Sequence, residues 1–206
     1  MMVEMICAGF GGQGVLTTGL ILAEAGMKLG MNVLWYPSYG SEMRGGTANC
    51  NVILSDTPVG SPIVQHPNVL MVMNNPSLDK YEDTVAPGGK IFVDSTLIGR
   101  KVRRTDVEAY YIPAIGLAGE MGVPTLANML LLGALVLCGT QSLPLADVLI
   151  EVFSAIGTVG MSTGITRELS TLSALVVTLL MYLGRVGSIS FAMALLERRT
   201  DPPVTY

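Results

Sequence analysis

The sequence predicts an α/β fold with a sheet of mostly parallel strands, followed by a helical, membrane-like C-terminal segment. Short apolar stretches alternate with helical patterns in the N-terminal half, as they do in sheets whose strands are connected by helices. A glycine-rich turn joins the first strand to the first helix. No lysine follows Lys101, and beyond about residue 144 long apolar runs replace the strand pattern.

The first elements follow from hydrophobic periodicity. Residues 3–8 are short and apolar, as in a buried strand, and residues 15–29 show helical spacing of their apolar side chains. A second strand is predicted over residues 32–36. A Gly/Ser/Pro-rich loop over residues 37–46 then precedes a β-rich run over residues 47–54.

Three further strands are predicted over residues 69–73, 90–94 and 110–112. A helix over residues 77–85 lies between the first two of them, and a Pro-Gly-Gly turn at Pro87 follows that helix. This alternation of strands and helices is the pattern typical of an α/β sheet.

The region that follows is apolar and carries no charge between Glu120 and Asp147. Its apolar block over residues 126–138 is too short to cross a bilayer, which takes about 20 residues of helix. A buried helix is therefore predicted for this block.

A second apolar run, residues 172–196, has Arg185 as its only charged residue. As a helix rising about 1.5 Å per residue it would be roughly 37 Å long, enough to cross a hydrocarbon core with tilt. Arg198 and Arg199 follow it, as on the cytoplasmic side of a membrane helix. A long helix buried in a protein assembly fits the composition equally well, because glycines and serines dilute the hydrophobicity of the run.

The composition excludes one class of partner. The chain has 206 residues, of which 50% are hydrophobic and only 14% are charged. That apolar excess indicates deep burial in a larger assembly or contact with a membrane. The net charge of −4 gives no basic surface for nucleic acid, whose phosphates require clustered lysine and arginine.

The metal-ligating residue types are few and scattered. Cys7, Cys50 and Cys138 lie far apart, whereas zinc and iron–sulfur sites need closely spaced cysteines, so neither site is expected. The single histidine, His66, lies in a Gln-His-Pro turn and is expected at the surface. The N-terminus shows no signal-peptide pattern, and together with the thiols this predicts a cytoplasmic setting.

The glycine turn is the first candidate binding site. Gly9, Gly11 and Gly14 fit the pattern G-x-G-x-x-G between a strand and a helix, and Gly12 and Gln13 complete the turn. Glycines let a backbone approach a phosphate at a helix N-terminus. A tight turn with a purely structural role fits the same pattern.

A dinucleotide-binding fold would also need an acidic side chain at the end of the second strand, where it binds a ribose hydroxyl. Here that strand ends in residues 35–38, Trp-Tyr-Pro-Ser, without a carboxylate. We therefore do not expect NAD binding, and a stand-alone nucleotide-binding module becomes the weaker hypothesis.

The loop after the second strand contains the second candidate site. Arg44 offers a planar fork of donors for a phosphate or carboxylate, Gly45 and Gly46 allow close approach of the backbone, and Glu42 could orient the arginine. An ion pair between Arg44 and a partner subunit is the alternative interpretation.

Two segments resemble a known family: GFGGQGVLTTGLILAEA and YPSYGSEMRGGTANCNVILSD. They are similar to the gamma subunits of the pyruvate, 2-oxoisovalerate and 2-oxoglutarate:ferredoxin oxidoreductases. The likeness continues through SPIV, NNPSLDKYEDTVAPGGKIFVDSTLI, IPA and ANMLLLGAL, and so covers about residues 3–140. The Ser-Tyr-Gly-Ser-Glu-Met-Arg-Gly-Gly form looks more like the 2-oxoglutarate or branched-chain members.

The resemblance implies a Rossmann-like gamma domain that covers the active site of a multisubunit enzyme and helps hold coenzyme A. The enzyme converts a 2-oxoacid and coenzyme A into acyl-CoA and carbon dioxide and reduces ferredoxin. Thiamine diphosphate and iron–sulfur clusters are implied on the alpha, beta and ferredoxin-like delta subunits. This chain alone is expected to bind no cofactor and to supply no catalytic residue.

The tail resembles a different family, the Trk/Ktr-type potassium-uptake transporters, through LIEVFSAIGTVGMSTGITRELSTLSALVVTLLMYLGRVGSISFAMAL. The resemblance implies a pore helix over residues 147–156, a closing helix over residues 172–196, and a filter strand between them. That strand would comprise Thr158, Val159, Gly160, Met161 and Ser162.

A potassium filter needs four such loops around one axis, so this chain is not expected to transport potassium alone. We therefore predict two segments, a gamma-type α/β domain over residues 1–143 and a transporter-like helical segment over residues 144–206. Two alternatives stay open: a fragment of a transporter carrying an oxidoreductase domain, and an ordinary helical pair whose likeness to a transporter is accidental.

Overall fold

The structure is a computed structural model that describes residues 2–38, 47–140 and 143–186. The chain divides into two compact units, Met1–Leu135 and Val136–Tyr206. The boundary predicted between residues 143 and 144 was drawn on sequence character and stays a prediction.

The N-terminal unit is built on one six-stranded sheet with the order β2-β3-β1-β4-β5-β6. The strands are β1 (Met2–Gly9), β2 (Asn32–Ser38), β3 (Ala48–Ser55), β4 (Val69–Val72), β5 (Lys90–Asp94) and β6 (Glu108–Ile112). All six coincide with predicted strands to within about two residues at each end, which confirms the α/β fold.

The sheet is mixed, but five of its six strands run in the same direction, so the prediction of a mostly parallel sheet holds except at β3. β1 pairs with β4 in parallel, and so do β4 with β5 and β5 with β6. β3, however, runs antiparallel to both β1 and β2. Parallel neighbours need a crossover of about a dozen residues or more, usually a helix, whereas only residues 39–47 separate β2 from β3.

Four helices accompany the sheet: α1 (Val15–Lys28), α2 (Asn75–Tyr81), α3 (Ala114–Glu120) and α4 (Ala127–Thr140). α1 and α4 coincide with predicted helices. The helix predicted over residues 77–85 begins at Asn75 and ends in a 3-10 turn, Glu82–Thr84. α3 was not predicted, because Gly116 and Gly119 lower its helical propensity.

Apolar side chains on β1, β3, β4 and β5 form a core with residues of α2 and the connecting loops. Its buried members are Ile6, Ala8, Ile53, Val64, Leu70, Val72, Leu78, Val85, Ile91, Val93 and Ile98. The carboxyl ends of β1, β4 and β5 lie side by side above this core, and the loops that follow them form the edge at which α/β sheets bind ligands.

The C-terminal unit contains α5 (Leu145–Ile156), a 3-10 turn (Ile165–Arg167) and α6 (Thr171–Val186). α5 and α6 pack so closely that a Cβ added to Gly184 would lie 1.9 Å from the carbonyl oxygen of Ile156. The two helices therefore contact each other through backbone at this point.

Glu151 of α5 fixes the loop between these helices. Its side chain is 4% exposed and accepts hydrogen bonds from Ser162 Oγ and, at 2.7 Å, from Thr166 Oγ1. Ser162 Oγ also accepts a bond of 2.9 Å from the Gly164 amide. One carboxylate thus organises the residues that connect α5 to α6.

The predicted filter-like segment, residues 158–162, lies in this loop and forms no strand, which corrects that part of the prediction. Its backbone turns twice into the left-handed region, at Thr158 (φ 53°) and Gly160 (φ 81°), so it cannot extend. Val159 and Met161 are exposed at 55% and 63%.

The structure describes only the first part of the helix predicted over residues 172–196, and residues 187–196 lie outside it. Within the described ranges, no helix combines the length and apolar character needed to cross a membrane. The prediction of a membrane-like segment is therefore not supported by the part of α6 that the structure describes.

Candidate functional site

The glycine turn connects the end of β1 to the start of α1. Gly11 and Gly12 are exposed, and Gly12 adopts φ 94°. Gly14 is the N-cap residue of α1 and has φ 76°, a conformation that favours glycine. Five predicted residues, Gly9 to Gly14 without Phe10, thus meet in one turn at the carboxyl end of β1.

The side chain of Gln13 holds this turn from within. Its Oε1 accepts a hydrogen bond from the Phe10 amide at 2.6 Å, and its Nε2 donates to the carbonyl of Met73 at 3.3 Å. Met73 directly follows β4. Gln13 therefore ties the turn to the neighbouring strand, and its amide is engaged in these internal bonds.

Asn128 of α4 holds the turn from the other side. It is 5% exposed, and its Nδ2 donates to the Gly14 carbonyl at 3.1 Å. A Cβ at Gly14 would lie 2.4 Å from that nitrogen. Thr18 donates to the same carbonyl through its amide at 3.0 Å and through its hydroxyl at 3.1 Å.

The N-terminus of α1 can receive an anion. In the described part of the chain no side chain caps it, since glycine occupies the N-cap position, and its first turn contains no acidic residue. The first amides of a helix lack partners inside the helix and carry the positive end of its dipole. Beside exposed glycines, such amides suit a phosphate or carboxylate.

Polar residues also follow β4 and β5. Asn74 caps α2, its Oδ1 accepting from the Ser77 amide at 2.8 Å. Asp94 accepts hydrogen bonds from the amides of Thr96 at 2.8 Å and Ile115 at 3.0 Å. Burial raises the pKa of the Asp94 carboxyl, while these amide donors oppose the rise. Both residues hold loops in place.

Sequence reasoning did not select Asn74, Asp94 or Asn128. Asn74 carried a usable signal, because Asn followed by Asn-Pro after an apolar strand is a typical helix start. Asp94 directly ends an apolar strand, which is a weaker signal. Asn128 lies within an uninterrupted apolar stretch and gave no indication of its contact with a glycine 114 residues away.

The remaining predicted site residues belong to other parts of the chain. Arg44, Gly45 and Gly46, with Glu42, lie outside the described residues. The filter-like residues 158–162 belong to the C-terminal unit.

The cysteines are buried and His66 is exposed. Cys7 and Cys50 are cross-strand partners on β1 and β3, and a hydrogen bond with Cys50, together with burial, raises the pKa of the Cys7 thiol. His66 Nδ1 lies 3.3 Å from the Thr84 carbonyl. Over residues 2–38, 47–140 and 143–186, no three His, Cys, Asp or Glu side chains converge as metal ligands.

Residues 4–156 match the family described as pyruvate ferredoxin/flavodoxin oxidoreductase. The chain belongs to this family. The match includes all six strands except the first two residues of β1, together with the glycine turn and Asn128, and it ends with α5.

Two kinds of relative place the chain among known members of the pyruvate ferredoxin/flavodoxin oxidoreductase family. The chain is 45% identical over 141 residues to the ketoisovalerate oxidoreductase subunit VorA of Methanothermobacter thermautotrophicus, a match covering 68% of this chain and 29% of that protein. It is 37% identical over 135 residues to the 2-oxoglutarate synthase subunit KorC of Methanocaldococcus jannaschii, a match covering 64% of this chain and 72% of that protein. The chain thus spans about three tenths of the VorA length but most of KorC.

Solved structures share the fold. A keto/oxoacid ferredoxin oxidoreductase gamma subunit from Geobacter sulfurreducens has a TM-score of 0.60 and 25% identity, covering 90% of this chain and 98% of that one. The 2-oxoglutarate:ferredoxin oxidoreductase from Magnetococcus marinus, solved with 2-oxoglutarate, coenzyme A and succinyl-CoA bound, has a TM-score of 0.61 and 20% identity, covering 93% and 31%.

A second, shorter match concerns the tail. Residues 122–199 match the family described as cation transport protein TrkH. Over 63 residues the chain is 36% identical to the Ktr system potassium uptake protein B of Bacillus subtilis, which covers 31% of this chain and 14% of that protein.

Proposed function

We propose that the chain is a gamma-type subunit of a 2-oxoacid:ferredoxin oxidoreductase. The observation that carries this proposal is the family match over residues 4–156, which includes an exposed glycine turn at an uncapped helix N-terminus. The proposed setting is cytoplasmic, and the proposed partners are alpha, beta and ferredoxin-like delta subunits together with ferredoxin.

In the proposed reaction, the complex converts a 2-oxoacid and coenzyme A into acyl-CoA, carbon dioxide and one proton. The two electrons released reduce two molecules of ferredoxin by one electron each. Thiamine diphosphate and iron–sulfur clusters would supply decarboxylation and electron transfer on the partner subunits, and this chain contributes binding rather than a reacting group.

The part we assign to this chain is to hold a phosphate of coenzyme A. The first amides of α1 offer hydrogen-bond donors and a positive dipole end, and Gly11 and Gly12 leave the approach free of side chains. We further propose that Arg44, with Gly45 and Gly46, contacts a phosphate of coenzyme A. An ion pair between Arg44 and a partner subunit is the competing proposal.

A charge reversal at the exposed turn tests this role. In the assembled complex, Gly11→Asp should raise the KM for coenzyme A by about tenfold or more. Like charges about 5 Å apart near a protein surface repel by roughly 3 kcal/mol before salt screening, and 1.4 kcal/mol corresponds to tenfold. Steady-state kinetics with 2-oxoisovalerate, 2-oxoglutarate and pyruvate would measure the effect and identify the preferred 2-oxoacid.

Gly11→Asn is the matched control, because asparagine has nearly the size and shape of aspartate without its charge, and it should leave the KM within about twofold of wild type. An unchanged KM for coenzyme A in Gly11→Asp would exclude the turn as the phosphate site. Failure of the chain to copurify with the partner subunits would exclude the subunit assignment itself.

For the tail, residues 144–206, we propose descent from the last repeat of a potassium-uptake transporter, supported by the two short matches. We propose no transport by this chain, because a potassium filter needs four loops around one axis and this segment supplies a single loop. We also propose contact of residues 172–196 with a membrane, which cell fractionation can test. The fold likeness to a gamma subunit over 90% of the chain favours the competing interpretation, an ordinary helical pair.

A further inference from the structure

We propose that Asn128 is a positioning residue for the glycine turn, holding the N-terminus of α1 in the orientation that receives the phosphate of coenzyme A. This inference rests on the proposed function, because it assigns a role to the same turn. Asn128 itself does not contact the ligand.

The hydrogen bond from Asn128 is additional to what the helix requires. The Gly14 carbonyl already accepts the Thr18 amide at 3.0 Å, which is the ordinary first bond of α1. The Thr18 hydroxyl donates to the same oxygen at 3.1 Å, and Asn128 Nδ2 adds a third donor at 3.1 Å from a helix that begins more than a hundred residues later. An amide that is 95% buried in this position fixes the turn rather than completing the helix.

The arrangement explains why glycine occupies the N-cap position. A serine, threonine or aspartate there would accept hydrogen bonds from the first amides of α1 and occupy the donors that an anion needs. Glycine leaves those donors free but gives the backbone of the turn more conformational freedom. Asn128 restores order from outside, through the carbonyl of Gly14, without covering the amides.

Two side-chain amides therefore clamp the turn at its two ends. Gln13 fastens residues 10–13 to the end of β4 through Met73, and Asn128 fastens Gly14 to α4. A turn held in this way loses less conformational freedom when it binds a ligand, which strengthens binding without a new contact to the ligand.

The test measures kinetics of the assembled complex with Asn128→Ala. Loss of one neutral hydrogen bond weakens binding by about 3- to 10-fold. The KM for coenzyme A should therefore rise by that factor. The KM for the 2-oxoacid and kcat at saturating coenzyme A should stay unchanged. Asn128→Asp keeps the side-chain volume but removes the donor, and it should raise the same KM at least as much.

Asn51→Ala is the matched control. Asn51 also donates from Nδ2 to a backbone carbonyl, that of Pro62 at 3.3 Å, but it lies on β3 away from the turn. This variant should leave both KM values unchanged.

The outcomes separate the two proposals. If Gly11→Asp raises the KM for coenzyme A and neither Asn128 variant does, the positioning role is wrong and the binding site stands. If Gly11→Asp has no effect, the proposed binding site fails. Equal changes in both KM values and kcat, or loss of assembly in both Asn128 variants, would make Asn128 a residue of the fold alone and overturn the inference.

Discussion

Gly14 combines two constraints that are usually found separately. Its φ of 76° favours glycine, and the amide of Asn128 occupies the space that a Cβ would take. The first constraint was readable from the G-x-G-x-x-G pattern, because such turns need glycine. The second was not, because it depends on which face of α4 meets the turn, and α4 is apolar on all sides.

Replacement of Gly14 should therefore lower the free energy of unfolding by more than backbone strain alone would. Gly14→Ala should lower the free energy of unfolding by about 2–5 kcal/mol, from a left-handed backbone at about 1–2 kcal/mol and overpacking at about 1–3 kcal/mol. Urea denaturation followed by circular dichroism measures the change.

Gly30 provides the matched control, because it has the same φ of 76° and nothing within 4 Å of an added Cβ. Gly30→Ala should lower the free energy of unfolding only by the cost of the left-handed backbone, about 1–2 kcal/mol. Equal costs at the two positions would show that Asn128 does not press on Gly14.

At the scale of elements, local sequence patterns predicted the bounds of an element correctly where the residues at its two ends mark those bounds. β5 was predicted with its observed bounds, Lys90–Asp94, and α1 ends one residue before its predicted end. The pairing of β3 depends on contacts across the sheet, for which periodicity carries no information. The polarity of β3 could have been inferred from the short connection to β2, since too few residues are available for a crossover helix.

The contact between α5 and α6 gives a prediction at the same scale. Gly184→Ala should destabilise the C-terminal unit by about 2–4 kcal/mol, because the added methyl group meets the backbone oxygen of Ile156, which cannot move aside as a side chain can. Thermal unfolding and hydrogen exchange of α5 and α6 amides would report the loss.

Gly139→Ala is the control for helix propensity. Gly139 lies in α4 with nothing within 4 Å of an added Cβ, so alanine should stabilise by about 0.5–1 kcal/mol. Stabilisation by Gly184→Ala as well would contradict the close packing of the two helices.

At the scale of the whole molecule, two family matches overlap. The oxidoreductase family covers residues 4–156 and the transporter family covers residues 122–199, so both include all of α4 and α5. The division of the structure between Leu135 and Val136 falls inside this overlap. A boundary drawn from composition alone could not resolve the overlap, because the helices α4 and α5 of this chain, which fill most of it, are both rich in apolar residues.

Cell fractionation tests the membrane proposal for the tail. The run over residues 172–196 has Leu, Val, Ile and Phe that favour insertion, whereas Arg185 opposes it by about 2.5–3.5 kcal/mol. If the run inserts, the full chain should sediment with membranes or aggregate, and a version ending at Thr140 should be more soluble.

Detergent distinguishes the two forms of sedimentation, since it releases inserted protein but not aggregates. A full-length chain that remains monodisperse without detergent would show that the helix packs against protein.

The mixed sheet has a consequence for how the chain behaves when it is produced without other subunits. β2 is the outermost strand of the sheet, and its seven residues include no charged side chain. Natural proteins commonly place lysine or proline on such edge strands to prevent pairing with another chain. In β2 only Pro37, which has no amide hydrogen, serves this purpose. Overexpression of the isolated chain is therefore expected to favour strand-to-strand self-association and inclusion bodies.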